Sequence, residues 1–336
     1  MMTNTVQNLP VASAPQTHKP LKWLAFGGLA VLLAFVPEEL NAYWLRVATT
    51  AVIYTLAAAS LNVLYARLGL VSLAQVALVG VGGWVSLRVA HSGHWPFELS
   101  LLAGGAAAGL TGMLVGLPAL RLRGLYLALI TLMAAAGFSV LINAMQFPNG
   151  GEGLRGFSPA GGVLMARPWG GQSDIGMFRY CVVVAGLGFL LIEWHRRSRP
   201  GRAWALIRKG EACAMAAGIN VSLYKSWAFA LAGFLAGSAG ALLAASLGTL
   251  DARSFPASES IMLAALSIVG GAYSFLGAII TGVLYRVFPA FLDSLGMAGD
   301  LSYVIFGVAL LHTLVSAPRG IAGQLFASLQ KWRARP

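Results

Sequence analysis

GRAWALIRKGEACAMAAGIN (residues 201–220) is a basic, Ala-rich, Gly-punctuated stretch set between two long apolar runs, 177–195 and 226–249. Runs of that length match the ~20 residues that cross a bilayer as a helix. The stretch therefore reads as part of a loop, 196–225, joining two membrane helices, and it is longer than most connections. Its composition divides it into two short helices. Arg202–Lys209 ends at Gly210. Glu211–Ala217 carries an acid at its N-terminus, where the helix dipole favours one, and is followed by Gly218, where a left-handed residue closes a helix. A short, capped, Ala-rich helix offers a smooth face suited to a groove on another protein.

The rest of the chain agrees with a membrane setting. Hydrophobic residues make up 58% and charged residues only 10%, against roughly 25% charged in soluble domains. A soluble core cannot absorb that excess without leaving sticky surface. Hydropathy marks about ten candidate spans: 21–37, 46–65, 68–90, 97–117, 124–146, 177–195, 226–249, 258–272, 274–292 and 300–317. The expected fold class is an all-α polytopic integral membrane protein. The run 68–90 is irregular, with Gly69, Gly80, Gly82 and Gly83. The pair 258–272 and 274–292 is joined so tightly at Gly270-Gly271-Ala272 that one member is a candidate re-entrant segment. The Gly-interrupted stretches 79–83 and 270–282 are candidates for equivalent places in two halves, as in many transporters.

Charge fixes an orientation. The net charge is +12, which in a soluble protein would point to nucleic acid; here Lys and Arg follow the cytoplasmic loops. With the N-terminus inside, sixteen of the 23 basic residues fall on the cytoplasmic side and nine of the eleven acids on the other. Both termini and the loop 196–225 are then cytoplasmic, and the loop 147–176, containing FPNGGEGLRG, is external. Residues 1–20 read as a disordered tail, 21–317 as the membrane domain and 318–336 as a basic cytoplasmic tail. The first 18 residues lack the apolar segment of a signal peptide, so 21–36 reads as an uncleaved first helix.

Enzyme chemistry is not indicated. No lysine stands in a GxxxxGK[ST] phosphate loop, so ATP is not hydrolysed by that route. His91 and His94 lack a third ligand, and no metal or cofactor is expected. Cys181 and Cys213 lie in different settings and are not expected to pair. Acids are nearly absent from the spans, which counts against an ion-coupled carrier. Arg286 is the exception and reads as a snorkelling side chain in a shortened span. Uncharged polar groups do occur: Asn62, Ser72, Gln75, Thr131 and Asn143 are candidates to line a solute path, with Ser139 beside them. Helix-to-helix hydrogen bonding is their commoner use. Ser72 and Gln75 are three apart, one face of a helix beside the Gly-rich irregularity.

Several ordered segments then resemble one family. Gly201, Arg202, Ala203, Ile207, Arg208, Glu211, Gly218, Ile219, Asn220, Tyr224 and Lys225 are similar to the coupling loop of branched-chain amino-acid ABC transporter permeases. LNVLYARLGLVSLAQVALVGVGGW (61–84), LPALRLRGLYLALITL (117–132), SIVGGAYSFLGAIITG (267–282) and SAPRGIAG (316–323) resemble further family signatures, so the likeness covers roughly 45–323. Departures include Gly270-Gly271-Ala272-Tyr273 for the usual Gly-Gly-x-Gly and the loose external NGGEGLRG. The resemblance implies one permease subunit of an ABC importer in a bacterial inner membrane. Its partners would be a second, related permease, two cytoplasmic ATPase subunits, an external solute-binding protein and lipid. The solute would be a branched-chain or other amino acid, with urea or a short amide next. Coupling to the ATPase would fall to Arg202, Arg208, Glu211, Ala214, Gly218 and Asn220, with Ala214 on the docking face and Glu211 at a solvated helix start. An ion-coupled secondary transporter or channel is the alternative.

Overall fold

The computed structural model describes residues 36–122, 124–144, 165, 167–250, 254–297, 301–316 and 320–333. The chain divides into two units, residues 1–40 and 41–336. Of the first, only Val36–Leu40 is described, and it contains a single helical turn, Val36–Glu39. The expected tail 1–20, nearly all of the expected span 21–37 and most of the loop 147–176 lie outside the described residues.

In the second unit, every regular element among the described residues is helical. In chain order these are α1 (Ala42–Asn62), α2 (Gln75–Gly93), α3 (Phe97–Val115), α4 (Leu125–Ala144), α5 (Asp174–Arg197), α6 (Arg199–Lys209), α7 (Glu211–Ala216), α8 (Val221–Leu247), α9 (Ala257–Gly270), α10 (Phe275–Ser294), α11 (Leu301–Ser316) and α12 (Gly320–Arg333). A π-helical turn, Val63–Leu68, extends α1. Among the described residues six helices are long and apolar enough to cross a membrane: α1 with its π turn, α3, α4, α5, α8 and α10. The expected ten spans are thus not all matched. The nine stretches that lie largely within the described residues each contain a helix, but α9 and α11 have only 14 and 16 residues, and α2 is not among the six. The protein is a multi-pass membrane protein.

Short polar side chains set several helix starts. Asn41, Ser173, Asn220 and Ser274 each accept a backbone N–H of the following first turn, at 2.9–3.0 Å. Each supplies one of the acceptors that a helix start lacks. Asn220, expected to act in coupling, is therefore the N-cap of α8.

The core is α8 with α1. α8, and α1 together with its π turn, each span 27 residues, and both are largely buried inside the chain. A helix that is apolar all round belongs in an interior, and α8 has the composition for it, rich in Ala, Gly and Ser. Small residues let backbones approach closely where the lipid supplies no hydrophobic drive between helices. The crossing of α8 with α2 and α3 depends on this. A β-carbon on Gly82 would fall onto the backbone of Gly237, and one on Gly237 would collide with Ala108 and the Gly104 carbonyl.

The chain makes one construction twice. α1 leaves its helix at residue 69, passes through the non-helical 69–74 and enters α2; α8 ends at Leu247, and the described residues 248–250 and 255–256 lie outside any helix before the short α9. Each half-helix then pairs antiparallel with the next: Gly104 of α3 lies against Gly82 and Ser86, and Thr281 and Gly277 of α10 lie against Leu266 and Gly270. Partners are exchanged between the copies, because α8 packs on α3 and α1 packs on α10. α5 runs parallel to α1, with Asp174 by Arg46 and Gly188 by Leu56, and α8 begins where α5 ends, with Trp227 against His195. α8 is therefore antiparallel to α1, and the two copies are inverted, as in many transporters. The equivalent stretches are 69–75 and 248–257 rather than the expected 79–83 and 270–282. Those two lie within α2 and across the α9–α10 turn. Neither 68–90 nor 258–292 is a straight span: the first begins with a break, and the second is a helical hairpin turning at 271–274.

Gly237→Leu is expected to force α8 away from α2 and α3, at a cost of about 3 kcal/mol or more. Gly137→Ala adds its methyl where nothing lies within 4 Å. Yield of monodisperse protein after detergent extraction should collapse for the first variant and hold for the second; equal yields would contradict the close crossing.

Candidate functional site

Two places concentrate the polar chemistry. The first is the helical loop α6–α7. Pro200 sits in the first turn of α6, where its missing N–H does no harm, so the helix starts at Arg199 rather than at the expected Arg202. Its inner face buries Ala203, Trp204 and Ile207. Trp204 donates its indole N–H to the Tyr224 carbonyl at 2.8 Å and stacks on His195, which also packs against Trp227. Arg202 points outward. Arg208 turns back to the membrane helices. It donates to the Ala66 carbonyl in the π turn of α1 and lies over the Tyr273 ring, 5.2 Å from its centroid, in the α9–α10 turn. One guanidinium thus touches both inverted copies.

Helix α7 departs from the sequence reading in two ways. Glu211 is not at a solvated start: its carboxylate lies 2.9 Å from the Lys225 ammonium, whose side chain is only 1% exposed. Ala214 is fully buried within the chain and cannot form part of a docking face. The exposed face is instead Ala212, Cys213, Met215, Ala216, Ala217 and Gly218, with Leu223 beyond it. Gly218 has φ +75°, the left-handed conformation read for it in the sequence.

The second place is where the half-helices meet. The N–H of Val76, in the first turn of α2, donates to Ser260 Oγ, in the first turn of α9, at 3.2 Å. Gln75 is fully buried, and its Oε1 accepts from Ser60 Oγ at 3.1 Å. Gln75 Nε2, Ser72 Oγ and both amide atoms of Asn62 are buried with no hydrogen-bond partner in the structure. Ser72 lies in the break before α2, so it shares no helical face with Gln75 as the spacing had led us to expect. Thr131 has its hydrogen bonds filled, accepting from Leu73 N–H at 2.9 Å and donating to the Ala128 carbonyl at 3.0 Å. Asn143 is on the exposed side of α4, bonded to its own helix at Ser139 O, and is not brought to the other four. Ser139 does for the second break what Thr131 does for the first, donating to the Phe255 carbonyl at 2.6 Å. That pairing of two hydroxyls eight residues apart on α4 was visible as spacing, but nothing marked it as such.

The spans also hold charge that hydropathy concealed. Glu259 opens α9 and accepts from the hydroxyls of Tyr285 and Tyr303. Arg286 does not snorkel from a shortened helix; it lies over the Tyr54 ring, 5.0 Å from the centroid, and lines a cavity with Glu259. Among the described residues no three His, Cys, Asp or Glu side chains are placed to hold a metal.

With this geometry in hand, the comparisons are specific. The family model described as branched-chain amino acid transport system / permease component matches residues 43–314. The chain is 27% identical over 337 aligned residues to a Salmonella typhimurium protein named as the LivM permease protein of a high-affinity branched-chain amino acid transport system, covering 93% of this chain and 77% of that one. It is 26% identical over 317 to the Escherichia coli protein of the same name, covering 87% and 73%. No solved structure matches it.

Removing one partner of a buried ion pair costs about 3 kcal/mol or more, because the other charge stays buried. Glu211→Ala should therefore loosen the α6–α7 loop, read as faster cleavage there by a soluble protease and a lower Tm. Adding Lys225→Met should restore most of the loss. A double variant no more stable than Glu211→Ala would show that the pair does not hold the loop.

Proposed function

Because the chain belongs to the branched-chain amino acid transport permease family, we propose that it is the membrane subunit of an ABC importer in a bacterial inner membrane. It moves a branched-chain or other amino acid inward, with urea or a short amide as the next candidates. ATP is hydrolysed on two separate subunits docked at the α6–α7 loop. A second, related permease completes the path, and an external binding protein delivers the solute. The basic face carrying the loop and both termini is cytoplasmic, following the Lys and Arg distribution.

The observation that carries this reading is how the loop is built. Its inner side is fastened by Trp204, Arg208 and the Glu211–Lys225 pair, while its outer side presents small side chains around Met215 and Leu223. A loop with no mechanical role has no need of a buried charge pair. A push on the outer face passes through Arg208 to the end of α1 and to the α9–α10 turn together. The solute path is assigned to the meeting of α2 and α9, as at the discontinuous helices of other transporters. The unpartnered groups of Asn62, Ser72 and Gln75 support this, since buried polar atoms without partners are rare and costly.

Two variants test the two parts. Gly218→Asp puts a side chain on a left-handed residue, at a cost of ~1 kcal/mol or more, and adds a charge that the helix C-terminus disfavours. Membrane insertion should be normal, while stimulation of ATP hydrolysis by the loaded binding protein and solute uptake are both lost. Unchanged stimulation and uptake would make the stretch a passive loop. Gln75→Leu conserves volume and removes an amide whose Nε2 has no partner, at the loss of the single bond from Ser60 Oγ to Oε1, so the Tm should change little while uptake falls several-fold. Normal uptake would place the path elsewhere.

A further inference from the structure

A second polar site lies at the opposite end of the same helices from the α6–α7 loop. The first two turns of α1, the first turn of α9, the last turns of α10 and the start of α11 enclose a cavity of about 480 Å³. That is within the roughly 300–1,000 Å³ usual for small-molecule sites. Glu259 lies on one wall and Arg286 on another, with Arg46 at the rim. Both oxygens of Glu259 accept from tyrosine hydroxyls, Oε2 from Tyr285 and Oε1 from Tyr303 at 3.2 Å. Hydroxyl donors hold a carboxylate in place and leave it its charge. The Arg286 guanidinium rests on the face of Tyr54, whose ring quadrupole attracts a cation. None of the ion pairs among the described residues joins these two groups or includes either of them.

Two opposite charges thus share one cavity while each is held by a neutral ring or hydroxyl. Tyr285 and Arg286 are consecutive on α10 and so diverge by about 100° around it. The two rings that hold the charges, Tyr54 and Tyr285, pack on each other with centroids 4.4 Å apart, and both the Glu259 carboxylate and the Arg286 guanidinium line the cavity without pairing. Val47, Met262 and Pro289 supply an apolar wall beside them. The matching ligand carries an ammonium and a carboxylate on one carbon and an apolar side chain. The cavity and the crossing share a helix: Glu259 is followed on α9 by Ser260, which accepts the Val76 N–H where the half-helices meet.

We propose that this cavity binds the zwitterionic head of an α-amino acid, its ammonium on Glu259 and its carboxylate on Arg286, before the solute reaches the α2–α9 crossing. The assignment rests on the amino-acid reading of the transported solute and names the residues that select for it. A solute lacking either charge leaves one of these two part-buried groups without its counter-charge, so the site discriminates against amines and carboxylic acids of the same shape.

The test uses the full-length chain in lipid nanodiscs, with L-leucine binding followed by calorimetry. L-leucine should bind, and 3-methylbutylamine and 4-methylpentanoate should fail to compete at tenfold excess. E259Q and R286Q should each weaken L-leucine roughly ten- to hundred-fold, the loss expected for a charge-assisted hydrogen bond. R286K should fall between R286Q and the unmodified protein. Y303F removes one hydroxyl from a half-exposed tyrosine, so it should fold normally and weaken binding a few-fold. Thermal melts of all variants separate lost binding from lost fold. Equal affinity in E259Q, R286Q and Y303F, or competition by either singly charged analogue as effective as by L-leucine, would overturn the proposal. Absence of leucine binding by the unmodified chain would overturn it too. Cellular uptake by the whole system distinguishes the causes. Amino-acid uptake with unaltered binding in the variants removes the cavity assignment alone, whereas no amino-acid uptake by the unmodified system removes the wider transport reading.

Discussion

A backbone that leaves its helix inside a bilayer meets no water, so each N–H and C=O it releases must be satisfied by the protein. This chain leaves its helix after Leu68 and again after Leu247, and the rest of the architecture answers to those two breaks. Three hydroxyls take up released groups. Thr131 accepts the Leu73 N–H, Ser260 accepts the Val76 N–H, and Ser139 donates to the Phe255 carbonyl. Two of the three stand on α4, which therefore acts as a staple across both inverted copies although most of its own surface faces outward. The breaks also have to be kept from lipid. That requirement explains the burial of α1 and α8, and the burial in turn explains the small residues of α8, since only Gly and Ala let three backbones converge at Gly82, Gly104 and Gly237.

The α6–α7 loop is fixed to this core by three unlike interactions, and each stops a different movement. Trp204 among His195 and Trp227 is broad packing, which resists tilting of α6. The Glu211–Lys225 pair joins the first residue of α7 to the first turns of α8, which resists sliding. Arg208 reaches the ends of both copies and ties the loop to each. The outer face has no comparable chemistry. Its small side chains give shape without strong bonds, the surface expected where contact must be made and released.

What the sequence disclosed follows from locality. The two short helices on either side of Gly210, the left-handed Gly218 and the all-helical class depend on neighbours within a few residues, and each is found, the first helix beginning three residues earlier than its reading. The breaks were harder. Gly69 and the glycines of α2 signalled irregularity, but the helix resumes at Gln75 because of what Ser60, Thr131 and Ser260 do from 15, 56 and 185 residues away. The same distance hid Lys225 from Glu211. The acid looked solvated because a buried lysine fourteen positions later gives no local sign of its burial. Glu259 escaped notice for a related reason. One acid in the first turn of an apolar helix reads as a terminal charge at the interface, and only the antiparallel α10 brings Tyr285 and Arg286 beside it. Charges that hydropathy averages away can be the ones a membrane protein has arranged most carefully.

The loop and the cavity lie at opposite ends of one pair of helices. α1 with its π turn is 27 residues long, about 40 Å of rigid rod. It carries the Ala66 carbonyl held by Arg208 at one end, and Arg46, Val47 and Thr50 of the cavity at the other. Its partner α10 begins next to Tyr273, over which Arg208 lies, and ends at the cavity with Tyr285, Arg286 and Pro289. Between the two ends the helices are locked together at Gly282, where a β-carbon would strike Ala51 and Thr55 of α1. Close-packed elements of this kind transmit strain from one to the other. The cavity walls and the loop therefore cannot be positioned independently. A change in the angle between α1 and α10 that moves Ala66 relative to Tyr273 also moves Arg46 relative to Arg286. The fold thus offers a mechanical route from one face to the other that needs no chain of side-chain rearrangements between them.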